Sequence, residues 1–170
     1  MKYFSLSICV VILISCSQNV NQERINYTNL SFLGSGDTLF LSFRNEKCGE
    51  WGGDTRSMVV YKEYDKRKST IFLDIHEYKM DCDSIENYID KPLKQSLEKK
   101  RIKIDPYQLR LISESIEELI KNQMNFNAEA GISNSGCFSG IRTSNKQLHL
   151  EIYPSPKWLK FEKLFNTLKD

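Results

Sequence analysis

Few residues in this chain are suited to chemistry at neutral pH: two histidines, His76 and His149, and a late cysteine, Cys137. A cysteine hydrolase needs a thiol with an imidazole close enough to take its proton. Cys137 and His149 are the one pair that a local hairpin can bring together. Reactive thiols usually sit at a helix N-terminus or against a positive charge, whereas Cys137 opens a β-rich segment. The surrounding Ser135-Gly136-Cys137-Phe138-Ser139-Gly140 contains no Gly-x-Ser-x-Gly elbow. A zinc site made from His76, His149 and a cysteine would lack both Cys-x-x-Cys and His-x-x-x-His spacing. Asp81-Cys82-Asp83-Ser84-Ile85-Glu86 departs from the EF-hand loop and fits a capping box from Asp83 to Glu86 better. No catalytic residue, metal or cofactor is therefore assigned.

Cys48-Gly49-Glu50-Trp51-Gly52-Gly53-Asp54 is the most unusual stretch, a tryptophan and two carboxylates among three glycines. Loops of this kind often bind ligands, which makes Glu50, Trp51, Gly52, Gly53 and Asp54 a candidate binding loop. The competing explanation is a wide turn in which the glycines permit positive φ and Trp51 folds onto the sheet edge. The glycine spacing fits neither a phosphate loop nor a dinucleotide site. Lys91, Lys94, Lys99, Lys100, Arg101 and Lys103, against the single acid Glu98, form a basic stretch. It reads as a solvated surface between Pro92 and a helix start, or as a contact with an anionic membrane.

The N-terminus is more specific. Lys2 precedes an uncharged apolar run over 3–14, and polar Ser17-Gln18-Asn19 follow Cys16. This is a signal-peptide layout, and the run is well short of the roughly 20 residues that cross a bilayer. Leu13-Ile14-Ser15-Cys16 resembles the lipobox of bacterial lipoproteins. At Cys9 the bulky Ile8 precedes the cysteine and little apolar run lies behind it, so only Cys16 matches. The resemblance implies that Cys16 is acylated, that residues 1–15 are removed, and that several acyl chains hold the protein at a membrane, at about 0.8 kcal/mol per buried methylene. Ser17 in place of Asp resembles lipoproteins sorted to the outer membrane, so the expected location is the cell envelope, on the outer membrane facing the periplasm rather than the inner membrane. Residues 16–28 read as the lipidated cysteine with an Asn- and Gln-rich tether, and 29–170 as one globular domain. The net charge of +2 falls to +1 once Lys2, the only charge before Cys16, is gone, so no field selects a nucleic acid.

The elements that must position these groups follow from periodicity. Residues 38–44 alternate, with Leu39, Leu41 and Phe43 on one face. Residues 56–64 and 69–79 continue an antiparallel meander around the polar turn Asp65-Lys66-Arg67-Lys68. His76 should share a polar face with Phe72, Asp74 and Tyr78. Residues 29–33 read as a short first strand. Asp105-Pro106-Tyr107-Gln108 is a helix start, and Leu109, Ile112, Ile116, Leu119 and Ile120 carry the helix to about Met124. A hairpin over 137–143 and 147–153 precedes a last helix starting at Ser155-Pro156, with Trp158, Phe161, Leu164, Phe165 and Leu168 as its apolar face. The fold class is α+β: a mainly antiparallel sheet, a three-strand meander plus a later hairpin, covered by two helices.

Removal of Cys9 and acylation of Cys16 leave Cys48, Cys82 and Cys137 in an oxidising compartment, which means one disulfide and one remaining thiol. In a meander, the loop entering the second strand lies at the same end as the exit of the third. Cys48 and Cys82 occupy those two places and are the expected pair. The function expected is that of a non-enzymatic, lipid-anchored binding domain whose partner is a protein, an envelope polymer or a small ligand. A hydrolase using Cys137 and His149, and a structural or assembly component of an envelope complex, are the alternatives.

Overall fold

The computed structural model describes residues 30–65, 68–84, 93–125 and 136–170. The signal segment, Cys16 and the tether lie outside them. Six strands form one antiparallel sheet: β1 Thr38–Arg44, β2 Thr55–Asp65, β3 Lys68–Lys79, β4 Lys94–Lys103, β5 Phe138–Thr143 and β6 His149–Ile152, in the order β4-β3-β2-β1-β5-β6. Among the described residues, two helices, α1 Pro106–Met124 and α2 Leu159–Lys169, join this sheet in an α+β fold.

The alternation in β1 decides which face is buried. Leu39, Leu41 and Phe43 stand opposite Val60, Met58 and Arg56 of β2, and Val60 and Met58 stand opposite Leu73 and Ile75 of β3. All of these apolar side chains are buried. The helices lie on this face. Phe43 meets the Phe161 ring of α2 at 5.9 Å between centroids, and the Arg56 guanidinium lies over Phe165 at 5.2 Å. Trp158, fully buried, stacks on Phe161 at 4.6 Å and donates from Nε1 to the Ser115 carbonyl of α1, which ties the two helices together.

The α1 start is as expected: Asp105 accepts from the Gln108 amide at 2.7 Å, and the Gln108 side chain accepts from the Asp105 amide at 3.0 Å. The last helix begins three residues later than Ser155-Pro156 suggested. Ser155 donates its amide to the Cys137 carbonyl, so the chain is still held against β5 there. The start of α2 is capped by another helix, because the Glu118 carboxylate of α1 accepts from the Leu159 and Lys160 amides at 3.1 and 2.7 Å.

Two expectations are corrected. The described part of 29–33 is a turn rather than a strand: Leu33 donates to the Leu30 carbonyl, both side chains plug the core, and the Lys62 ammonium bonds both carbonyls at 2.7 and 2.9 Å. Burial lowers the pKa of Lys62. The described part of the basic stretch, Lys94–Lys103, is mostly solvated as expected, but it is not irregular chain. It is β4, a fourth meander strand, and its lysines suit a sheet edge, where charge blocks pairing with another chain. A bulge sets Lys100 and Arg101 against the single residue Asp74, whose carboxylate accepts the Arg101 amide at 2.7 Å.

Candidate functional site

The glycine-tryptophan loop divides into a packed half and an outward half. Gly49–Trp51 form a 3-10 turn, and Gly52, Gly53 and Asp54 are buried behind it. Gly136 lies so close to this loop that a Cβ there would sit 2.1 Å from the Gly52 nitrogen, and its amide bonds the Gly49 carbonyl at 3.0 Å. A Cβ on Gly53 would sit 2.1 Å from the Asn45 side-chain oxygen. Gly136 is thus required by backbone-to-backbone packing, and Gly53 by the Asn45 side chain and the Lys47 backbone, whose nitrogen would lie 2.7 Å from the added Cβ. Gly136→Ala should cost about 1–3 kcal/mol by overpacking; urea unfolding checks this, and an unchanged midpoint would refute it.

Asp54 is held in the structure on both sides. It accepts the Met80 amide at 2.9 Å and the Lys79 ammonium at 3.0 Å. Burial works to raise its pKa, but these bonds prevail and lower it. Gly49, Glu50 and Trp51 face outward, Trp51 being 49% exposed. Cys48 and Cys82 are joined, with Cα atoms 5.3 Å apart.

Among the described residues, Cys137 is the cysteine outside the disulfide, and it is buried. Desolvation, with a smaller contribution from Glu46, raises its pKa away from the thiolate. The β5–β6 register puts His149 opposite Arg142, five residues or about 16 Å along the strand from Cys137. His149 instead pairs with Glu151 at 3.2 Å. The hydrolase dyad is not assembled. His76 and His149 are no closer to forming a zinc site, since β3 and β6 are four strand spacings apart, about 19 Å. His76 does lie on the face expected, with Glu98 3.5 Å from its Nδ1. The Asp83-to-Glu86 capping box extends outside the described residues.

Among the described residues, a site-like geometry that was not anticipated lies on the face opposite the helices. On that face, rows of side chains cross the sheet: His149, Arg142, Phe40, Val59 and Asp74 form one, and Glu151, Gly140, Ser42, Ser57 and His76 form the next. Gly140, Ser42 and Ser57 are small, so the second row sinks below the first. A depression of about 320 Å³ results, whose lining includes Phe40, Ser42, Ser57, Val59 and Arg142, with Glu151 on the β6 side. A second, of about 530 Å³, adjoins it through Phe40 and Arg142 and reaches Ser144, Lys146 and His149. Arg142 is exposed, and its guanidinium lies over the Phe40 ring at 4.8 Å. Arg101 covers Phe72 in the same way at 4.8 Å, and Tyr61 stacks on Phe72. Alternation in 38–44 signalled which residues face this way, but not which strands would lie side by side. Compared with known proteins, the chain matches no family model, no curated protein and no solved structure.

Proposed function

We propose that this chain is a lipid-anchored, non-catalytic binding domain of the bacterial cell envelope, held at the membrane by Cys16 and presenting the helix-free face of its sheet to a partner. One observation carries the binding part of this reading. Both helices pack on the Leu39–Leu41–Phe43 face, while the other face bears Phe40, Val59, Tyr61 and Phe72, only partly buried, with no described helix over them. An antiparallel sheet can leave one face to water, but that face is then usually polar; aromatic and arginine side chains there are the types enriched where proteins make contacts. The lipobox Leu13-Ile14-Ser15-Cys16 supports the anchor.

The anchor and the face are tested separately. Wild-type protein should sediment with membranes and resist high salt, while Cys16→Ala should remain uncleaved or become soluble; soluble wild type with an unmodified N-terminus overturns the anchor. A photo-crosslinking residue at Val59 should yield a discrete adduct in intact cells, and one at Glu117, exposed on α1, should not. Equal labelling from both positions overturns the assignment of the face.

A further inference from the structure

Three polar groups at the 320 Å³ depression have no hydrogen-bond or ion-pair partner among the described residues. The hydroxyls of Ser42 and Ser57 form no hydrogen bond with another described residue, and they stand opposite each other on β1 and β2. Arg142 on β5 has no carboxylate partner among the described residues, and its guanidinium lies over the Phe40 ring. The setting differs elsewhere on the same face. Arg101 is paired with Glu63 at 2.8 Å, Lys100 with Glu98 at 2.9 Å, and the Tyr61 hydroxyl with Asp74 at 3.2 Å. Glu151 of β6 also lines the depression, with its Oε1 3.2 Å from the Nε2 of His149. Among the described residues, Arg142 and, in the adjoining depression, Lys146 are the cations here without a carboxylate partner, and Arg142 is the one next to the two serine hydroxyls.

A guanidinium laid flat on an aromatic ring keeps its edge N–H groups available, and those groups form the fork that matches a carboxylate in bidentate fashion. Stacking on Phe40 orients the fork before a ligand arrives, so less side-chain freedom is lost on binding. Phe40 and Val59 supply an apolar wall beside the donors. Few polar groups converging in an apolar hollow is the usual plan of a small-molecule subsite.

We infer that this depression binds a carboxylate-bearing ligand, with Arg142 and the hydroxyls of Ser42 and Ser57 holding the carboxylate and Phe40 and Val59 holding a planar or apolar body attached to it. This deepens the proposed function and rests on the helix-free face being the binding face. The carboxylate has two possible sources, a free small acid or an acidic unit of an envelope polymer, and the chemistry at the depression is the same for both.

The test uses the full-length lipidated protein in zwitterionic nanodiscs. Benzoate is the soluble probe, followed by saturation-transfer NMR, and purified peptidoglycan sacculi are the polymeric probe, followed by co-sedimentation. Benzoate should receive saturation from wild type. Arg142→Gln should weaken binding about tenfold, the loss expected for a charge-assisted hydrogen-bonded pair. Lys121→Gln, which removes a positive charge from the exposed surface of α1, should change nothing. Arg142→Lys keeps the charge without the fork; it should also bind more weakly, and it serves as the second variant if Arg142→Gln does not fold. Benzoate binding with no sedimentation on sacculi assigns the site to a free acid, whereas Arg142-dependent binding of both assigns it to the polymer. No transfer to benzoate, or equal transfer in wild type and both Arg142 variants, overturns the inference. If the Val59 crosslink still forms in that case, the carboxylate assignment alone falls; if it does not, the face assignment falls with it.

Discussion

Glu77→Ala is expected to lower the unfolding free energy at neutral pH by about 3 kcal/mol, the low end of what breaking a buried ion pair costs. Glu77 is only 1% exposed and lies on the helix-covered face of β3, where alternation would place an apolar residue. Its carboxylate accepts Arg56 at 2.9 Å, Lys79 at 3.2 Å, Lys169 from the end of α2 at 3.3 Å, and the Ser96 hydroxyl at 3.3 Å. Without it, Arg56 is left under α2 with its charge uncompensated. Lys79 keeps Asp54, and both Lys79 and Lys169 can turn to water, which is why the low end of the range applies.

The same residue should govern acid stability. Burial pushes the Glu77 pKa up, but the hydrogen bonds from Arg56 and Lys79 outweigh it, and the value falls from 4.5 to about 2. A carboxylate whose pKa is lower in the folded state contributes stability that is fully present above its unfolded pKa and is lost as pH falls through the folded one. Wild-type stability should therefore decline from pH 5 toward pH 2, by on the order of 3 kcal/mol from this group. In Glu77→Gln the slope over that window should be shallower. Urea titrations at several pH values check both statements, and parallel slopes with equal midpoints at neutral pH would show that Glu77 contributes nothing.

Loss of the Cys48–Cys82 disulfide should cost about 4 kcal/mol. The two cysteines are 34 residues apart in sequence, and closing a loop of this size in the unfolded chain removes about that much conformational freedom in the chain-entropy model. The measurement is the urea midpoint of the oxidised protein against the Cys48→Ser/Cys82→Ser double variant. Peptide mapping without reductant should recover Cys48 linked to Cys82, with Cys137 labelled by iodoacetamide only after unfolding. A peptide linking Cys137 to either of the other two would refute the assignment. The bridge stands at the same corner as Asp54, Lys79 and Glu77, so removing both the bridge and Glu77 should cost less or more than the sum of the single losses, because neighbours that share one backbone corner do not add independently.

Local pattern made much of this fold legible. The alternation of Leu39, Leu41 and Phe43 named the buried face, Asp105-Pro106-Tyr107-Gln108 fixed the start of α1, and the meander alone placed Cys48 and Cys82 at one end of the sheet. In each case the cause lies within a few residues or one hairpin, where periodicity and capping act. β4 was not legible, because an edge strand buries little. In Lys94–Lys103, Leu97, Lys99 and Ile102 are partly covered, and the rest reads as a solvated charge run. The start of α2 was missed for the opposite reason: its cap, Glu118, is 41 residues away in the chain.

The candidate site divides in the same way. By itself, the sequence determined the α+β class, the disulfide pair and the glycine-rich loop as an unusual feature, and it is the whole basis of the proposed anchor. Only the tertiary structure decided that the loop's glycines serve the contact with Gly136, that Cys137 and His149 are separated by the length of a strand, and that Glu77 is buried among cations. It also decided where the depression is. Ser42, Ser57 and Gly140 are unremarkable in three separate stretches of chain, and they form a hollow beside Arg142 only because β5 returns to pair with β1 on the side away from β2. Sequence period records which face a side chain takes, but strand order is set by long-range pairing, whose energy is shared among residues about a hundred positions apart and leaves no local mark at any of them.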